Sequence, residues 1–165
     1  AVIKAFKDVY TKKSSKSIYE IANQVTDKVV EMIGDVKTIN IEALTMIEMA
    51  KRQILPAVIK FATNLAGSIN TIKATGVAAD LTAQTELLTE VSSLTASLKK
   101  NVAVLEEAVE KASNAHGDTY EQAHLFRFDV FEKMAGVREV ADTLETLVDK
   151  EVWPMPTYGD LLFNI

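Results

Sequence analysis

Apolar residues recur along this chain at intervals of three, four and seven, the spacing that gathers side chains onto one face of a helix. Val2, Ile3, Phe6, Val9 and Tyr10 predict a short amphipathic helix over residues 1–10, which stops at the polar stretch of residues 11–16. Ser17 followed three residues later by Glu20 is a capping box, in which each side chain satisfies an amide that the first helical turn leaves unpaired. From there Ile18, Ile21, Ala22, Val25, Val29 and Met32 hold helical spacing to Gly34, read as a C-terminal stop or a bend into the next helix. Leu44, Ile47, Ile54, Val58, Phe61, Leu65, Ile69 and Ile72 predict a long helix over residues 38–75, closed by Gly76. Pro56 lies inside it, removes one amide donor and collides with the carbonyl of Arg52, so a kink is expected there and not a break.

Asp80 or Thr82 then caps a helix in which Leu87, Val91, Leu94, Leu98, Val102 (or Asn101), Leu105 and Val109 alternate by threes and fours until Gly117. Asp118 and Glu121 form a second capping box, and Phe126, Val130, Met134, Val137, Ala141, Leu144 and Val148 carry the last seam to about Val152. The three long helices, about 34 to 38 residues each, would measure roughly 50 to 57 Å at 1.5 Å per residue, and the joining turns allow only antiparallel return. The pattern predicts an all-α fold: an antiparallel up-and-down bundle of about four helices, three of them long. A short N-terminal helix and an apolar, proline-containing C-terminal tail complete a single helical domain over residues 1–165.

Composition narrows the function. Hydrophobic residues make up 48% and charged residues 25% of the 165, a balance that folds. The net charge of -5, with both signs spread along the chain, provides no electrostatic footprint for nucleic acid. No apolar run approaches the ~18 residues of a membrane span. The absence of cysteine excludes disulfides, thiolate metal sites and a cysteine nucleophile, and favours a cytoplasmic setting.

Candidate chemistry is sparse. His116 and His124 are the two histidines. Eight positions apart on a helix, they stand about 12 Å from one another, too far to share an ion. His116 beside Gly117 reads as a helix-end cation meeting the dipole. Glu121 and His124 form Glu-x-x-His, half of the signature of di-iron carboxylate bundles. The second half is missing, because Ser113 stands three residues before His116, so a polar pair serving the helix cap is the preferred reading. Neither a phosphate-binding glycine loop nor a nucleophile elbow occurs. No catalytic, cofactor or metal residue is therefore assigned to this chain.

The tail differs from the rest. Two prolines forbid helix there, while Trp153, Met155, Tyr158, Leu161, Leu162 and Phe163 concentrate apolar surface in a few residues. Such a segment docks, either on its own bundle or on another domain or subunit, and these six residues are the candidate contact set.

Two segments, KTINIEALTMIEMAKRQILPAV at Lys37 to Val58 and LVDKEVWPMPTYGDLLF at Leu147 to Phe163, resemble the C-terminal part of type III glutamine synthetases. The order and spacing of the helices between them is similar as well. That family makes glutamine from glutamate, ammonia and ATP with Mg²⁺ or Mn²⁺, in homo-oligomers of stacked hexameric rings. The resemblance implies a C-terminal piece of a larger cytoplasmic subunit, lacking the catalytic domain that would be its partner in the same polypeptide. It implies a role in architecture, assembly or regulation, with the ATP, metal and glutamate ligands lying upstream. Two other readings compete: an independent helical-bundle interaction module, and a carboxylate-bridged metal enzyme.

Overall fold

A computed structural model describes residues 18–115, 119–156 and 160; of Ile18, Tyr19, Ile21 and Ala22 it describes the backbone alone. The predicted helix of residues 1–10, the caps Ser17 and Asp118, and His116 and Gly117 lie outside the described residues. All regular structure within them is helical. The first helical run comprises α1 (Ile18–Met49), a π-helical turn (Ala50–Ile54) and α2 (Leu55–Ala74). The second is α3 (Thr82–Ser113). The third comprises α4 (Thr119–His124), a second π-helical turn (Leu125–Val130) and α5 (Phe131–Leu147).

Gly34 neither stops nor divides the first run, contrary to the sequence reading. A glycine terminates a helix by adopting positive φ, and among the described glycines only Gly76 does so, at 72°. Gly34 stays helical at a propensity cost of ~1 kcal/mol. The burial of Val25 before it and of Ile39 and Ala43 after it offsets that cost. The helix of residues 17–34 is therefore no separate member, and the described residues form three helical runs.

Pro56 behaves as a disturbance that the helix absorbs. The turn just before it is widened, with the Leu55 amide donating to the carbonyl of Ala50 five residues back. A wide turn is a means by which a helix makes room for a ring that would otherwise meet the carbonyl four residues earlier. The run then continues to Ala74, where the amides of Thr75 and Gly76 donate to Ile72 and Lys73 at 3.1 and 3.2 Å. Asp80 settles the start of α3: its carboxylate accepts the Thr82 amide at 3.0 Å.

The contacts divide the chain into two compact units. One is drawn from Ala1–Thr45 and Leu105–Met134, and its buried apolar residues include Val25, Ile39, Ala43, Leu105, Val109, Phe126 and Val130. The other is drawn from Met46–Val104 and Ala135–Ile165, with Ile54, Val58, Val91, Leu98, Val137, Leu144 and Trp153 buried. The seams read from α3 and α5 are the buried faces of those helices, with Val102 and not Asn101 in the α3 position. One α1 position is corrected: Leu44 is 50% exposed, while Ala43 beside it is fully buried. Spacing explains it, since Ile39, Ala43, Ile47 and Ala50 continue one stripe, and Leu44 joins Val30, Ile33 and Ile41 on another side of the helix.

Candidate functional site

The final helix stops at Leu147, short of the expected Val152, because Asp149 offers its backbone a competing set of bonds. Its carboxylate accepts the Glu151 amide at 2.9 Å, and its carbonyl accepts the amides of Val152 and Trp153, each at 2.9 Å. The resulting turn redirects the chain, and Trp153 is buried with only 7% of its surface exposed. Lys150 and Asp160 close the segment with an ion pair of 2.7 Å across the intervening prolines. Of the tail's candidate contact residues, Trp153 is thus packed in its own compact unit and Met155 is half-buried, while Tyr158, Leu161, Leu162 and Phe163 lie outside the described residues. The indole Nε1 of Trp153 is buried and finds no acceptor among the described residues.

Glu121 and His124 share α4, and His124 is exposed in an aromatic ladder. Its ring lies 4.7 Å from Phe128 and 6.3 Å from Tyr120. Among the described residues, no three acidic, histidine or cysteine side chains converge as a metal site would require. No described helix is long and apolar enough to cross a membrane.

One concavity within the first compact unit brings chemistry-bearing groups together that sequence reading missed. It is a groove of about 150 Å³ between α1 and the start of the third run. Met32, Val36, Ile39 and Ala123 supply apolar lining, and Asp35, Tyr120, His124 and Arg127 supply polar groups. No local signal announces this set, because its two halves are separated in sequence by the whole of α2 and α3.

Residues 3–73 match the profile described as the glutamine synthetase C-terminal domain. Over that stretch, less than half of the chain, the sequence is similar to that domain. It is similar to a glutamine synthetase of Butyrivibrio fibrisolvens, 26% identical over 157 residues that cover 95% of this chain and 21% of that protein. A glutamine synthetase of Bacteroides fragilis is 33% identical over 79 residues, 48% of this chain and 11% of the relative. A type-3 glutamine synthetase of Dictyostelium discoideum is 27% identical over 132 residues, 77% of this chain and 18% of the relative. The chain thus aligns with about a fifth or less of the length of these curated relatives. The matched profile spans α1, the wide turn before Pro56 and most of α2.

Proposed function

We propose that this chain is the accessory C-terminal helical domain of a type III glutamine synthetase, non-catalytic by itself and serving subunit architecture or assembly. The observation that carries the reading is the alignment of 95% of the chain with 21% of a glutamine synthetase, together with the C-terminal domain match over residues 3–73. The likeness to a type-3 enzyme of Dictyostelium discoideum supports the type. In this reading the helical runs pack as an up-and-down antiparallel bundle, and a catalytic domain in the same polypeptide supplies the sites for glutamate, ammonia, ATP and Mg²⁺ or Mn²⁺. The parent is a cytoplasmic homo-oligomer of hexameric rings that assimilates nitrogen into glutamine.

A domain in this role has to be stiff and to present a surface. Long helices with well-buried seams provide stiffness, since close-packed interiors transmit strain and do not deform smoothly. The tail is the contact segment in this reading: Trp153 anchors it to its own compact unit, and the half-buried Met155 is available to the catalytic part or a neighbouring subunit.

The test is the size of the native protein. An antibody raised to this chain should detect, in a lysate of the source organism, a band several times larger than 18.1 kDa with which glutamine synthetase activity co-purifies. The isolated chain should form no glutamine from glutamate, ammonia and Mg-ATP. A native band at the size of the chain, without that activity, would instead establish an independent interaction module.

A further inference from the structure

The groove of the first compact unit holds one carboxylate and one guanidinium that are not paired among the described residues. Asp35 projects from α1 and Arg127 from the second π-helical turn, and the two line the same concavity. Among the described residues neither takes part in an ion pair or a hydrogen bond. Arg127 does have a support: its guanidinium lies 5.3 Å from the centre of the Phe131 ring. Stacking of that kind holds the planar fork in place while leaving its N–H groups available. The floor beside these charges is apolar, with Ile39 and Ala123 buried and Val36 half-buried.

Charge and size select the ligand class. A single negative and a single positive group over an apolar floor complement a molecule that carries both charges and a short hydrocarbon side chain. A simple anion would satisfy Arg127 and leave Asp35 opposed, and a simple cation the reverse. The volume of about 150 Å³ lies well under the ~300 Å³ at which pockets for drug-sized molecules begin, which favours a ligand of a few heavy atoms. The backbone adds an independent pointer. Arg127 and Phe128 stand in a π-helical turn, an uncommon winding that occurs frequently at functional sites.

We propose that this groove binds a free aliphatic α-amino acid, its carboxylate on the guanidinium of Arg127, its ammonium on the carboxylate of Asp35 and its side chain against Val36, Ile39 and Ala123. The inference stands on the groove alone and does not rest on the parent enzyme proposed above. Solvent-exposed charges form the site, so binding is weak, with a Kd on the order of 1 mM.

The experiment is a titration of the ¹⁵N-labelled 165-residue chain with L-valine, followed by amide chemical shifts. Saturable shifts confined to the residues around Asp35 and Arg127 are expected. Valinamide, which lacks the carboxylate, and isovalerate, which lacks the ammonium, should each bind about tenfold or more weakly, because each forfeits one charge-assisted contact. Asp35→Asn and Arg127→Gln should weaken L-valine to a similar degree. Both side chains are exposed, so both variants should fold, Asp35→Asn melting with the unaltered chain and Arg127→Gln about 1–4 °C lower for the lost stack on Phe131. Absence of saturation, equal shifts with isovalerate, or L-valine shifts that persist in both variants would overturn the proposal.

Discussion

The side-chain amide of Asn101 donates to the backbone carbonyl of Gly136 at 2.9 Å, joining positions 35 apart in the sequence. Both residues belong to the second compact unit, where the bond ties the half-buried side chain on α3 to the backbone of α5. Replacing Asn101 by Ala removes one net hydrogen bond and should lower stability by about 1 kcal/mol. Asn101→Asp sets carboxylate oxygens against a carbonyl and should cost more than Asn101→Ala at neutral pH. Urea unfolding of the two variants ranks them; an aspartate variant as stable as the parent would show that the contact contributes nothing.

Gly136 can gain a side chain in spite of this contact. An added Cβ would come no closer than 3.8 Å to Asn101 Nδ2, an ordinary van der Waals distance. Gly136→Ala should therefore stabilise the chain by roughly 0.5–1 kcal/mol through helix propensity. For a chain of this size that is a rise of about 1–4 °C in Tm, readable by calorimetry.

The other described glycines separate in sign. Gly34 and Gly67 lie inside helices, with nothing within 4 Å of an added Cβ, so alanine should raise stability at each by about 0.5–1 kcal/mol. Gly76 holds φ at 72°, where an L side chain is strained, and Gly76→Ala should lower stability by about 1–2 kcal/mol. Opposite signs at Gly34 and Gly76 are the expected outcome of thermal melts. A destabilising Gly34→Ala would mean that the helix does turn there.

Trp153 should be tolerant of one substitution and intolerant of another. Truncation to Ala empties a buried aromatic site and should cost about 3–5 kcal/mol. Trp153→Phe keeps most of the apolar surface and removes an indole N–H that has no acceptor among the described residues, so it should cost far less. Chemical denaturation of both variants checks the difference, and similar losses for Phe and Ala would show that the N–H is satisfied after all.

Asp80 makes the start of α3 sensitive to acid. The Thr82 backbone amide, and then its hydroxyl, donate to the carboxylate and hold its pKa below the ordinary aspartate value. A group depressed in the folded state contributes stability that is complete above its unfolded pKa and is lost as pH falls through the folded one. The contribution of Asp80 should accordingly be present at neutral pH and disappear below about pH 4. Carboxyl ¹³C shifts should show Asp80 titrating below the ordinary aspartate value, and Asp80→Asn should remove its share of the acid dependence of unfolding.

Much of this molecule was legible in one dimension. The helical class, the buried seams of α3 and α5, the stop at Gly76 and the family likeness follow from periodicity, capping chemistry and two diagnostic segments. These signals are local: each depends on residues a few positions apart, which the chain itself holds in register. Tertiary structure decided the rest. It carried α1 through Gly34, because burial on either side outweighs the propensity of one residue. It placed Ala43 in the core and Leu44 in solvent, because a helix with two apolar stripes does not declare which one another helix will cover. It ended α5 at Leu147, where the carboxylate and carbonyl of Asp149 capture the amides that follow. It also brought Asp35 and Arg127 to one groove, a pairing that depends on the return path of the chain and leaves no mark on the spacing of either residue's neighbours.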